Sequence, residues 1–153
     1  MSCTSLTSIS LPQNLEYIGS FAFTSSGLKE ISIPANVTTA NGVFSGCQSL
    51  TKAVFQSGFK KIEASTFAGC SNLTSLTIPD TVTTIGNAAF AYCPALMQIF
   101  IPNSVTTIGS TIFNGCQTTL QIRCAAASKP SGWNSQWNYN DGKAMPVVWG
   151  ATN

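Results

Sequence analysis

Six cysteines are the residues in this sequence best suited to chemistry, since thiols can form disulfides, bind metals or act as nucleophiles. They are Cys3, Cys47, Cys70, Cys93, Cys116 and Cys124. From Cys47 to Cys116 they recur every 23 residues, a spacing unlike the short one between paired zinc ligands. We therefore favour a column of buried free thiols. A disulfide between neighbouring members stays an alternative, and a metal site is the least favoured.

The other groups that could catalyse a reaction are few. The chain has no histidine, which removes the usual general base and the commonest metal ligand. The five carboxylates fall at different phases of the repeat described below, so no two should stack as a catalytic pair. These are Glu16, Glu30, Glu63, Asp80 and Asp141. We predict no catalytic residue, no cofactor and no metal, and hence a protein that is not an enzyme.

The charge pattern and the hydropathy each exclude one class of partner. Charged residues make up 8% of the chain, the net charge is +2, and Lys60-Lys61 is the only close basic pair. Such a sequence lacks the basic stripe that binds nucleic acid. It also lacks a run of 18 apolar residues, so we expect no direct membrane insertion.

A repeat of about 23 residues must position these groups. Residues 70–92 (CSNLTSLTIPDTVTTIGNAAFAY) and 93–115 (CPALMQIFIPNSVTTIGSTIFNG) share the pattern C-x-x-L-x-x-I-x-I-P-x-x-V-x-x-I-G-x-x-x-F. Leucine recurs at 6, 28, 50, 73 and 96, and phenylalanine at 23, 44, 67, 90 and 113. The second repeat is one residue short around 25–27 and one short around 40–43. The repeats start near Cys3, Ser26, Cys47, Cys70, Cys93 and Cys116.

Each repeat predicts one turn of a solenoid. The alternating run Leu76-Thr77-Ile78 indicates a short strand, which the following proline ends. Val82 and Ile85 should lie on a second, irregular side, and 87–90 should form a short helical or 3₁₀ turn. One turn cannot bury its own apolar face, but stacked turns can. We expect about five and a half turns over residues 1–124, with a short parallel sheet on one face.

The periodicity stops after Cys124, and residues 125–153 contain all three tryptophans. Because the last turn of a solenoid exposes its apolar columns, we predict a C-terminal cap in which Trp133, Trp137 and Trp149 form the lid. The alternative is a carbohydrate-binding platform, since flat indole rings can stack on sugar faces. We favour the cap.

The strand residues that point outward form a candidate binding face. Its members are Glu30, Lys52, Val54, Thr77, Gln98, Phe100 and Arg123. Phe100 is unusual because it stands in a column of mostly small polar residues. We expect the Trp-rich tail to fold over Phe100; contact with a ligand is the alternative.

The pattern at Cys70–Phe90 and Cys93–Phe113 resembles the BspA-like branch of the leucine-rich-repeat family, found in surface proteins of bacteria and parasitic protists. The resemblance covers residues 3–124 and implies an α/β-type leucine-rich-repeat solenoid with little helix. It also implies an extracellular or cell-surface location and a protein-binding, adhesive function, with a host or matrix protein or another surface protein as partner. The alternatives are a carbohydrate-binding module and a structural spacer.

The N-terminal residues lack the basic and apolar regions of a signal peptide. We expect this sequence to be part of a longer chain, with further turns before Met1. A first turn without a cap would expose its Leu6 and Phe23 columns, so we also predict end-to-end self-association.

Overall fold

Each repeat places short strands on the sides of a coil, and strands of successive repeats stack in parallel. The computed structural model describes residues 3–152. Met1, Ser2 and Asn153, the outermost residues of the two predicted segments, lie outside this range. In chain order the strands are β1 (Tyr17–Ile18), β2 (Glu30–Ile33), β3 (Thr38–Thr39), β4 (Lys52–Phe55), β5 (Lys61–Ile62), β6 (Ser75–Thr77), β7 (Thr84–Ile85), β8 (Gln98–Ile101), β9 (Thr107–Ile108), β10 (Gln121–Cys124), β11 (Tyr139–Asn140), β12 (Lys143–Ala144) and β13 (Val147–Trp149).

The main face of the solenoid is formed by β2, β4, β6, β8, β10 and β13. Residues alternate along these strands, so that in β2 Glu30 is exposed and Ile31 is buried. Equivalent positions stack in register: Ile31 lies opposite Ala53, and Ala53 lies opposite Leu76. The parallel sheet expected from the period-two pattern is therefore confirmed.

The second side is more regular than the sequence indicated. Instead of irregular chain it carries the two-residue strands β1, β3, β5, β7 and β9, which form two parallel sheets, β1-β3 and β5-β7-β9. Ile62, Ile85 and Ile108 lie opposite one another and are buried. Stacking aligns the same short segment of each repeat, so even two residues per turn can form a ladder.

The third side has tight turns, and the residues described contain no helix. The helical or 3₁₀ turn expected at 87–90 is therefore not formed. The amides of Ala88 and Phe90 donate to the carbonyls of Ser110 and Ile112 in the next turn. Ala88 also has a φ of 52°, in the left-handed region, which is incompatible with continuing a right-handed helix.

The leucine and phenylalanine series form continuous columns, as the repeat predicted. Leu28, Leu50, Leu73 and Leu96 are completely buried. Successive rings of Phe23, Phe44, Phe67, Phe90 and Phe113 stack with centroids 5.5–6.3 Å apart. These columns form the core and hold the sheets at fixed separation.

In the short second repeat, the missing residue lies earlier in the sequence than expected. Thr38 and Thr39 lie opposite Tyr17 and Ile18, so the deletion follows Val37 and does not fall within 40–43. Thr39 consequently takes the inward position of the isoleucine column. It is buried, and its hydroxyl has no hydrogen-bond partner.

The tail continues the coil although its sequence no longer repeats. Trp133 bridges to Ile108 on the second side, the amide of Ile112 donates to the carbonyl of Trp137 on the third, and β13 pairs with β10 on the main face. An antiparallel hairpin, β11–β12, closes the end. The division at residue 124 is thus a boundary in the repeat pattern, across which the coil continues.

Candidate binding face

The main face presents two outward columns of side chains. One contains Glu30, Lys52, Ser75, Gln98 and Gln121, and the other contains Ser32, Val54, Thr77, Phe100, Arg123 and Val148. All seven residues of the predicted binding face therefore lie on this surface. Glu30 and Lys52 lie opposite each other at the N-terminal end, whereas Arg123 lies at the C-terminal end.

The hydrogen-bonded ladder of the main face is interrupted once. It consists of a sheet β2-β4-β6 and a sheet β8-β10-β13, and the facing strands β6 and β8 are not paired. Their Cα atoms still approach within 8 Å. The facing edges of β6 and β8 therefore lack the strand-to-strand bonds that join every other neighbouring pair on this face.

A cleft of about 200 Å³ lies at this interruption. Its lining comes from both edges and from the next strand: Thr74, Ser75, Leu76, Thr77, Ile78, Gln98, Ile99, Phe100 and Arg123. Four residues of the predicted face, namely Thr77, Gln98, Phe100 and Arg123, are brought together here. Glu30, Lys52 and Val54 lie outside the cleft, on β2 and β4.

Thr74 and the backbone edges are components of the cleft that sequence reasoning missed. Ser75, an exposed residue of β6, also lines the cleft. The repeats on either side of the interruption have the same length, from Cys70 to Cys93 and from Cys93 to Cys116. Spacing alone therefore predicts an unbroken ladder at this point.

Phe100 is not covered by the tail, which corrects the expectation from sequence. The tail adds β13 to the far edge of β10, so β10 separates β13 from β8. Val148 lies opposite Arg123, and no residue after Arg123 lines the cleft. Phe100 is consequently half-buried, with part of its ring facing the cleft.

Arg123 is anchored by the last described residue of the tail. A guanidinium nitrogen, Nη2, donates to the Thr152 carbonyl at 2.6 Å. A guanidinium has five N–H donors, so this bond leaves others for a ligand. Arg123 is the one charged residue among those that line the cleft.

Two of the three tryptophans are buried. Trp133 and Trp137 are 3% and 1% exposed, and the indole nitrogen of Trp133 donates to the Val105 carbonyl at 2.9 Å. Trp137 packs edge-on against Phe113, with ring centroids 6.2 Å apart, and Trp149 packs against both other indoles. The rings of Trp133 and Trp137 are thus covered by other residues, whereas Trp149 is half-buried.

The expected column of buried free thiols contains Cys47, Cys70, Cys93 and Cys116. Cys3 is exposed, and Cys124 is buried outside the column, on β10 opposite Ile101. The thiols of Cys70, Cys93 and Cys116 each donate to the carbonyl of the column phenylalanine one turn earlier, at 3.2 Å. Burial raises the pKa of Cys93 to about 12 and that of Cys116 to about 11. These thiols stay protonated at neutral pH and are poor nucleophiles.

Asn140 in the tail lies next to the last thiol of the column. The Asn140 side chain donates to the Cys116 carbonyl and accepts from the Gly115 amide, both at 2.8 Å.

Among residues 3–152, no three histidine, cysteine or acidic side chains are grouped so that they could hold a metal ion.

The family follows from comparison with known proteins. Residues 1–122 match the model of the BspA type leucine rich repeat region, in six copies. The chain belongs to this family. No curated protein matches it.

The BspA-type fold is also found in solved structures. A leucine-rich repeat protein from Bacteroides ovatus is 28% identical with a TM-score of 0.63; the match covers 97% of this chain and 44% of that protein. The pneumococcal vaccine antigen PcpA is 25% identical with a TM-score of 0.44, over 82% of this chain and 24% of PcpA. A leucine rich cell surface protein from Faecalibacterium prausnitzii is 24% identical with a TM-score of 0.42, over 98% and 55%. This chain therefore spans less than half the length of the Bacteroides protein.

The BspA-type solenoid has a second interruption in strand pairing, on the second side. Strands β3 and β5 are not paired, and a pocket of about 230 Å³ is lined by residues of both strands. Lys60, Lys61 and Glu63 line this pocket, and the Lys61 ammonium lies 2.9 Å from the Glu63 carboxylate. This ion pair is partly exposed, so solvent screens it.

In residues 3–152 no helix is long and apolar enough to span a membrane.

Proposed function

We propose that the chain is a non-catalytic scaffold of a cell-surface or extracellular protein, which binds a host or matrix protein through the main face. Membership of the BspA-type family supports a repeat scaffold. Solenoids suit this task because their stacked strands supply an extended, rigid surface.

One observation carries the proposal: the ladder is interrupted in the middle of the predicted face, and four predicted residues surround the opening. A cleft in an interface gives a group of the partner a place to be desolvated, which is typical of the groups that dominate binding energy. The flanking charges Glu30, Lys52 and Arg123 are well suited to orient the partner.

The test is binding of the purified chain to a panel of immobilised matrix glycoproteins, compared between two lysine variants. Thr77→Lys places a charge at the mouth of the cleft, and we expect affinity for the partner to fall at least tenfold. Thr84→Lys is the matched control because Thr84 is an outward strand residue on the second side, opposite a natural lysine, Lys61. It should bind like the wild type.

Two outcomes count against the proposal. If both variants lose affinity equally, the main face is not the binding surface. If no matrix protein binds, the chain is better described as a spacer that extends other domains.

A further inference from the structure

The interruption between β6 and β8 limits what can bind there. An inserted strand needs about 4.8 Å on each side, or roughly 9–10 Å between the flanking strands. The Cα atoms of β6 and β8 come within 8 Å of each other. The gap is thus too narrow for a peptide strand to enter and pair with both edges. Buried or half-buried backbone groups nevertheless need hydrogen-bond partners.

The chemistry of the lining matches a small ligand with many hydroxyl groups. Both kinds of hydrogen-bonding group are present: hydroxyls on Ser75 and Thr77, an amide on Gln98, and N–H and C=O groups on the strand edges. A sugar hydroxyl both donates and accepts, so it can bind to either. The volume of about 200 Å³ lies below the roughly 300–1,000 Å³ of pockets that take drug-sized molecules, which suits a single sugar ring.

Two further side chains of the lining indicate that the ligand has an apolar ring face and a negative charge. The half-buried ring of Phe100 offers an apolar surface to the C–H face of a pyranose. Arg123 supplies the one positive charge of the lining, and no carboxylate in the lining neutralises it. Guanidinium groups bind carboxylates strongly, because charge and paired hydrogen bonds act together.

We propose that this cleft binds a hexuronate residue, a sugar that carries a carboxylate on its six-membered ring, as found in acidic polysaccharides. The carboxylate binds Arg123, the C–H face of the ring packs on Phe100, and the ring hydroxyls bind Thr77, Gln98 and the strand edges. This site goes beyond the proposed function, since it requires no protein partner.

The test is a titration of the ¹⁵N-labelled chain with methyl β-glucuronide, followed by amide chemical shifts. Methyl β-glucoside is the matched ligand, because it differs by the carboxylate alone. We expect the amides of β6 and β8 to shift with the glucuronide at millimolar concentration. The glucoside should bind about tenfold more weakly, corresponding to about 1.4 kcal/mol.

Two variants separate recognition from folding. Arg123→Gln should reduce glucuronide affinity to the level of the glucoside. Because Arg123 also holds Thr152, Thr77→Val serves as a second variant that leaves this anchor intact and should weaken both sugars. Lys143→Gln removes a charge from the exposed strand β12, outside the main face and the cleft, and it should bind the glucuronide like the wild type.

Several results would overturn the site. They are equal binding of glucuronide and glucoside, no shifts in β6 and β8, or an equal effect of Lys143→Gln and Arg123→Gln. Equally tight binding of N-acetyl-aspartate amide, a peptide carboxylate, would assign the cleft to a protein side chain instead. Failure of matrix-protein binding would leave the glucuronide result standing, so the two proposals can fail separately.

Discussion

The hydroxyl oxygen of Ser26 lies 3.2 Å from the sulfur of Cys47, so a serine takes the cysteine position of the second turn without breaking the column. Both side chains are buried, and Cys47 is also 3.0 Å from the Phe23 carbonyl. The position therefore requires a small group that can hydrogen-bond to the turn above. A disulfide is not required there, since serine satisfies the same contact.

Burial of the thiols predicts loss of stability at alkaline pH. Burial raises the pKa of Cys124 to about 12, whereas an unfolded thiol ionises near 9. Above pH 9 the unfolded chain loses this proton and the folded chain keeps it, so ionisation favours unfolding. The stabilisation is complete below pH 9 and is lost as the pH rises towards 12. Cys124→Ala should make the decline in unfolding free energy shallower by roughly 1 kcal/mol per pH unit.

Urea denaturation at several pH values between 7 and 11 measures this slope. Ile122→Ala, a buried residue of the same strand with no titratable group, is the control and should keep the wild-type slope. An unchanged slope in Cys124→Ala would show that the thiol does not resist ionisation in the folded chain.

Thr39→Val should stabilise the protein. Thr39 occupies the isoleucine column and its buried hydroxyl has no partner, so valine keeps the shape and removes the unsatisfied group. We expect a gain of about 1–2 kcal/mol in unfolding free energy. Thr66→Val is the matched control because the Thr66 hydroxyl is equally buried but donates to the Glu63 carbonyl at 2.7 Å. It should destabilise the protein, and a loss of stability in both variants would contradict the account of Thr39.

Gly86→Ala should strongly destabilise the protein, whereas Gly19→Ala should not. Both glycines follow the isoleucine column, but an added Cβ at Gly86 would overlap the backbone of Glu63 and Ala64, and one at Gly19 would meet only Tyr17 at 3.9 Å. Backbone cannot yield as a flexible side chain can, so we expect a loss of about 2–4 kcal/mol at Gly86. Thermal unfolding of the two variants compares them directly. Similar melting temperatures would mean that neighbouring turns are less closely packed than described.

The solenoid could be predicted because each core column corresponds to one residue type that recurs at a nearly constant spacing in the sequence. The core positions of Leu50 and Phe67 follow from spacing alone, since like side chains stack when turns have equal length. The register of β3 could also have been found, because the missing residue after Val37 is visible once Thr38 is aligned with Tyr17.

The candidate site could be predicted only in part. Alternation identifies outward residues such as Thr77 and Arg123, but it cannot show that β6 and β8 fail to pair. The tail was harder still: Trp133 and Trp137 continue the coil through backbone bonds to Ile108 and Ile112, and no repeated residue signals this. Backbone geometry of this kind is decided by packing between turns.

Phe100→Ser should leave the stability nearly unchanged. The tail does not cover Phe100, and its ring is half-buried at the cleft, so little apolar area is lost. We expect a change below about 1 kcal/mol, compared with about 3–5 kcal/mol for Trp137→Ala, which empties a buried site. Differential scanning calorimetry of both variants tests this. A large drop for Phe100→Ser would restore the original expectation that the tail packs on this ring.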